Sequence, residues 1–140
     1  MKQRFYLDTA IWRDYFEDRH DNLRPLREFA FGFLKNCEKH NCEILYSPLV
    51  KRELLAHYSE ERVQQVFSSF LGMLREVKVC SEHLNEAKRI RQNVSDSHTA
   101  DIIHAVLARD NRATLITRDK HFEGLIGIVQ VLKPEEVTFY

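Results

Sequence analysis

The chain predicts a three-layer α/β/α domain around a central parallel sheet of about five strands, on three observations. Short apolar runs alternate with longer segments of helical periodicity, the pattern of parallel strands joined by crossover helices. No linker, repeat or low-complexity block interrupts the 140 residues. A stretch near residue 100, Ala-Asp-Ile-Ile-His-Ala-Val-Leu-Ala, is apolar on almost every side, as a centrally buried helix requires.

The elements follow in order. Arg4 to Leu7 reads as the first strand, ending at Asp8-Thr9, where a helix through Ile11, Trp12, Tyr15 and Phe16 begins. Asp18 to Arg24 is polar and reads as a loop. Leu26, Phe29, Phe33 and Leu34 recur at helical spacing, so a helix is expected from Pro25 to about Lys39, with the proline in its first turn. Cys42 to Tyr46 is the second strand. Ser47-Pro48 is an N-cap followed by proline at the first helical position, opening a helix that carries Leu49, Val50, Glu53, Leu54 and Leu55. Ser59 caps another, with Val63, Val66, Phe67 and Phe70 as its stripe. Glu76 to Cys80 is expected as a strand, Ser81 to Gln92 and His98 to Arg109 as helices, Ala113 to Ile116 as a strand, Asp119 to Glu123 as a helical turn, and Ile128 to Leu132 as the last strand.

Composition bounds the function. A chain of 16.7 kDa with 44% hydrophobic residues is of ordinary domain size and buries a core without staples, so a single domain over 1–140 is expected and a disordered chain is not. Its 21 basic and 21 acidic side chains cancel, which argues against one large basic nucleic-acid surface but leaves room for a local patch. Cys37, Cys42 and Cys80 form an odd set without Cys-x-x-Cys spacing, so neither a disulfide framework nor a cysteine zinc site is indicated, and a reducing, cytoplasmic setting is expected. The first twelve residues are interrupted by Asp8 and lack the apolar stretch of a signal peptide or a membrane span; no membrane association is expected.

Four carboxylates stand out. Asp8 follows an apolar strand, so it should emerge at the C-terminal edge of the sheet, where open α/β folds bind their ligands. Asp101 sits inside the most apolar helix, where an ionised carboxylate is costly unless paired, solvated or metal-bound. Asp119 follows the strand Ala-Thr-Leu-Ile, and Glu53 flanks an apolar stripe in the helix after the second strand. In a parallel sheet all four can converge at one edge, where they repel one another and call for a cation. Oxygen ligands select hard ions such as Mg²⁺ or Mn²⁺, whose usual work is phosphate chemistry. Each residue also has a plainer use. Asp8 and Asp119 suit helix caps, Glu53 a solvated helix face, and Asp101 a pairing with His104, three residues on. Asp96 belongs to the cap and loop before that helix, with a secondary metal role as its other reading.

At these residues the chain resembles the PIN-domain family of Mg²⁺- or Mn²⁺-dependent ribonucleases, including the VapC-like toxins of toxin–antitoxin pairs. The resemblance spans the whole chain and rests on FYLDTAIW, LVKRELL, ADIIHAVLARD and ATLITRDKHF. It implies a metal held by Asp8, Asp101, Asp119 and Glu53, with Glu53 orienting or activating water. It also implies Thr9 and Thr117 positioning carboxylates or water, an RNA substrate, an antitoxin partner and a homodimer. Arg13, Lys51, Arg52, Arg118, Lys120 and His121 surround these positions in sequence and offer phosphate contacts, with surface solvation as the plainer use and the one favoured for Lys51 and Arg52; Trp12 and Tyr15 offer stacking or an interface, or core packing. A zinc site of His98, Asp101 and His104 is disfavoured by its spread over a wide helical arc. A phosphohydrolase of the haloacid-dehalogenase type is disfavoured by Ala10, where that family carries a second aspartate. The rival from another class is a non-catalytic binding module whose acidic pocket captures a basic partner side chain.

Overall fold

In the computed structural model, described for residues 2–17, 20–21, 24–94 and 98–140 and by backbone alone at 20, 21 and 24, strand β1 (Arg4–Leu7) leads directly into helix α1 (Thr9–Phe16). Most of the polar segment 18–24 lies outside the described residues. Its described backbone forms β2 (His20–Asp21) and β3 (Arg24–Pro25), paired antiparallel, where the polar composition reads as a loop. Helix α2 (Leu26–Lys39) follows, β4 (Glu43–Tyr46) comes next, and Ser47 then caps α3 (Pro48–Leu55), its hydroxyl accepting the Val50 N–H at 3.4 Å. Ser59 does the same for α4 (Glu60–Ser68) through the Arg62 N–H at 3.1 Å. The chain continues through β5 (Leu74–Glu76), α5 (Ser81–Arg91), α6 (Thr99–Asp110), β6 (Thr114–Ile116), a 3-10 turn over Lys120–Leu125, β7 (Val131–Leu132) and a 3-10 turn over Pro134–Glu136.

Five strands form one all-parallel sheet in the order β5-β4-β1-β6-β7, so the three-layer α/β expectation holds. Strand β1 shows why both faces are covered. Its side chains alternate, and every one from Phe5 to Leu7 is buried. Phe5 meets Phe33 of α2 edge-on at 5.2 Å, while Tyr6 on the opposite face reaches His104 of α6. On one side α1 packs on α2; elsewhere α5 packs on α6, which lies against β1 and β6. From Ile102 to Ala108 no residue of α6 is more than 8% exposed, which makes it the buried central helix that its composition predicts.

Beyond shifts of a residue or two at other ends, three boundaries differ from the sequence reading in an informative way. Pro25 is not in the first turn of α2 but precedes it, ending β3 with φ −82° and ψ 80°. The strand expected at Glu76–Cys80 lies earlier, because Leu74, Arg75 and Glu76 are the residues in register with Ile44, Leu45 and Tyr46; beyond Glu76 the ladder is extended by the Val77 N–H, bonded to Tyr46 O at 2.8 Å. The last strand is cut to Val131–Leu132, since residues 126–128 are taken up by the end of the preceding turn, closed by Ile128 N–H to Leu125 O.

Candidate active site

The C-terminal ends of β1 and β6 are neighbours, with Leu7 opposite Ile116 and the Asp8 N–H bonded to Ile116 O at 3.0 Å. The residues that follow, Asp8 and Thr117, therefore leave the sheet side by side. The Thr117 hydroxyl donates to Asp8 Oδ2 at 2.9 Å and accepts the Asp119 backbone N–H at 3.0 Å, so one buried threonine ties two of the four acids together. Asp119 caps the turn beyond it, accepting the His121 N–H at 2.9 Å and facing the His121 ring at 3.0 Å.

Helix α3 brings Glu53 to the other side. Its Oε1 accepts the Thr9 hydroxyl at 2.7 Å and lies 2.9 Å from His104 Nε2. Behind His104 is a buried polar row: Nδ1 is 2.7 Å from the Tyr6 hydroxyl, which is 2.7 Å from Ser47 Oγ. Asp101 sits in the first turn of α6 and accepts the His98 backbone N–H at 3.2 Å. The alternative pairing of Asp101 with His104 is not what forms: His104 turns to Tyr6 and Glu53, and Asp101 caps its own helix. The rings of His98 and His121 meet edge-on at 5.1 Å, joining the start of α6 to the turn after Asp119.

The electrostatics separate the acids. Burial drives the Asp8 carboxyl up to about 6; the His104 ring and the Thr117 hydrogen bond oppose this, and the charges of Glu53 and Asp101 add to it. Burial likewise pushes Glu53 upward, but the hydrogen bonds from His104 and Thr9, with the Arg52 charge nearby, outweigh it and hold Glu53 below the ordinary carboxylate range. Asp8 therefore feels two of the other three acids. The four do not stand as a ready cage, since among the described residues no three His, Cys, Asp or Glu side chains are grouped closely enough to enclose a metal ion. In donor chemistry the set is all oxygen, with a buried acid that other carboxylates repel, which fits a hard divalent cation.

Other positions sort differently. Arg118, one of the residues offered for phosphate contact, is mostly buried and grips Glu135 with both terminal nitrogens, at 2.7 and 2.5 Å, while its guanidinium lies over the Phe29 ring. Its charge is thereby spent inside the protein. Arg13 pairs with Glu17 at 3.3 Å; Lys51, Arg52, Lys120 and His121 remain exposed. Trp12 is wholly buried, and Tyr15 packs on the core beside Phe31 and Phe70. Asp96 lies outside the described residues. Sequence reasoning missed Tyr6 and Ser47; the signal was a hydroxyl in the middle of a buried apolar strand, which has to find a partner.

Residues 5–126 match the model of the family described as the PIN domain. The chain belongs to the PIN-domain family. Members of that family are in general nucleases, and all four acids of this PIN domain fall within the matched region. Its fold recurs in solved structures at low identity. The structure described as VapBC2 from Rickettsia felis bound to a DNA fragment from their promoter is 20% identical with a TM-score of 0.67, covering 94% of this chain and 98% of that one. A toxin–antitoxin complex from Klebsiella pneumoniae is 22% identical with a TM-score of 0.66, over 92% and 96%. FitAcB from Neisseria gonorrhoeae is 16% identical with a TM-score of 0.63, over 95% and 99%. No curated protein sequence matches significantly. No helix among the described residues is long and apolar enough to cross a membrane.

Proposed function

We propose that this protein is a divalent-metal-dependent endoribonuclease and the toxin half of a toxin–antitoxin pair. The observation that carries the reading is the convergence of Asp8, Thr117 and Asp119 with Glu53 and Thr9 at the C-terminal edge of a parallel sheet, in a chain of the PIN family. Asp8, Asp101 and Asp119, with Glu53 beside them, would hold Mg²⁺ or Mn²⁺. When bound, such an ion neutralises charge on a phosphodiester and makes water a better nucleophile. Thr117 fixes the rotamer of the Asp8 carboxylate. Glu53, held ionised, is the group suited to orient an attacking water and to take its proton on a carboxylate oxygen, as the P–O bond to water forms and the bond to the leaving ribose oxygen breaks.

The structural neighbours are toxin–antitoxin complexes, which supports an antitoxin as partner, and exposed Lys51, Arg52 and Lys120 offer phosphate contacts beside the site. We assign the whole chain to one domain, and a homodimer in a reducing cytoplasm is the assembly expected. The test is direct: the purified chain cleaves single-stranded RNA with Mg²⁺ or Mn²⁺ and not with a chelator, and Asp8→Asn or Asp101→Asn abolishes cleavage while the circular dichroism spectrum is retained. Full cleavage by both variants removes the site assignment. An unaltered wild type that cuts no RNA at any metal concentration yet binds a basic partner is the binding module instead.

A further inference from the structure

The row Ser47–Tyr6–His104–Glu53 joins a helix cap, a strand, the central helix and a proposed site acid, and its hydrogens have a direction. Ser47 Oγ accepts the Val50 N–H as the N-cap of α3, so its own hydrogen is free for one acceptor, and the Tyr6 oxygen at 2.7 Å is there to take it. The Tyr6 hydroxyl hydrogen then goes to His104 Nδ1 at 2.7 Å. With Nδ1 accepting, the ring's one N–H is on Nε2, where it donates to Glu53 Oε1 at 2.9 Å. The opposite sense, an imidazolium donating from Nδ1 to Tyr6 and Tyr6 donating to Ser47, leaves the hydrogen of a fully buried serine with no acceptor among the described residues.

We infer that Tyr6 and His104 are positioning residues that lock Glu53 for catalysis: Tyr6 sets the tautomer of His104, and His104 with Thr9 pins one Glu53 oxygen, leaving the other to the site. This rests on the nuclease reading for its purpose, but not for its geometry. The hydrogen bonds of the Tyr6 hydroxyl run to Ser47 and His104 and to none of the acids, so its hydrogen-bonded link to the site is the imidazole. Loss of its hydroxyl frees His104 to adopt the Nδ1–H form, which turns a lone pair toward the Glu53 carboxylate.

The first test is nitrogen NMR of histidine-labelled, metal-free protein at neutral pH. The lock requires His104 as the Nε2–H tautomer with a slowly exchanging proton, and a shift toward a tautomer mixture in Tyr6→Phe. A wild-type His104 protonated on Nδ1, alone or together with Nε2, overturns the inference. The second test compares Mn²⁺ affinity by electron paramagnetic resonance, and kcat and KM on a random single-stranded RNA. Tyr6→Phe and His104→Leu lose about 10–100-fold in kcat or Mn²⁺ affinity with KM little changed, the range of groups that orient metal-site ligands. His104→Gln, whose amide keeps a donor for Glu53, retains more than His104→Leu. Equal values in all three variants and the wild type reduce the row to packing, as does a Leu variant that matches or exceeds the Gln variant. A wild type that binds no Mn²⁺ and cuts no RNA removes the proposed function instead; the histidine spectrum, which needs neither, still decides the lock.

Discussion

The Thr117 hydroxyl donates to Asp8 Oδ2 at 2.9 Å while accepting the Asp119 N–H at 3.0 Å, so one side chain sets both the direction of a buried carboxylate and the entry of the turn that carries the next acid. Thr117→Val keeps the shape and removes both bonds. It leaves a buried carboxylate oxygen and a backbone N–H short of a partner, at a cost of about 1–3 kcal/mol for each group that finds no water. The Thr117 bond also lowers the Asp8 pKa, so without it Asp8 ionises at still higher pH. The expected outcome is a Mn²⁺ affinity about 10–100-fold weaker, with β1 and β6 still paired. Calorimetric titration measures it, and a variant with wild-type affinity shows that Asp8 needs no such orientation.

Burial of Asp8 carries a stability signature of its own. Its carboxyl rises from an ordinary value of 3.8 to about 6 in the folded chain. The folded state therefore binds the proton more tightly than the unfolded state, and the associated stability is complete below about pH 4 and lost as pH rises through 6. At pH 7.5 without metal the ionised carboxylate costs about 3 kcal/mol, an order-of-magnitude figure. Asp8→Asn should therefore melt higher than wild type at pH 7.5 in chelator, with the gain vanishing near pH 4. Added Mn²⁺ should raise the wild-type midpoint and leave the variant unmoved. A variant less stable than wild type at both pH values contradicts this account.

The ion pair between α5 and α6 makes the opposite pH prediction. Arg109 holds Glu86 through two nitrogens, both at 2.7 Å, and this pairing keeps Glu86 below the ordinary carboxylate range. A depressed carboxyl contributes stability that is present above its unfolded value and lost as pH falls through the folded one. Both side chains are about a third exposed, at 34% and 27%, so solvent screens the pair. Glu86→Gln should cost roughly 0.5–1 kcal/mol at pH 7, less in 1 M salt, and almost nothing at pH 3. Denaturant melts at those three conditions check it.

Much of the fold was readable because local chemistry and global packing agree. Ser47-Pro48 marks the start of α3 by capping geometry alone, and the apolar run after Asp101 can only be a buried helix. The displaced strands β5 and β7 were not readable, because a neighbour's register decides where pairing stops: Val77 and Val79 have strand composition, but β4 ends at Tyr46. At the site, the order of Asp8, Glu53, Asp101 and Asp119 along the chain was legible as a motif. The direction of His104 was not. Helical spacing puts it one turn from Asp101, whereas the hydroxyl of Tyr6 and the carboxylate of Glu53, distant in sequence, compete for its two nitrogens. Arg118 misled for a similar reason, since its partner Glu135 lies near the end of the chain and nothing local announces the pair.

Trp12 decides between a stacking surface and a core. Its ring is fully buried, 4.9 Å from Phe67 and 6.4 Å from Phe70 between centroids, and its indole N–H has no hydrogen-bond partner among the described residues. Trp12→Phe therefore sacrifices no hydrogen bond and leaves only a small void, costing about 1–3 kcal/mol, whereas Trp12→Ala costs about 3–5 kcal/mol. As the chain's single tryptophan, it should report its own burial through a blue-shifted emission that RNA does not quench. RNA affinity of Trp12→Phe should equal that of wild type once both are fully folded. A loss of affinity at full foldedness, or quenching of the wild-type emission by bound RNA, would place the indole at the substrate and reopen base stacking as its role.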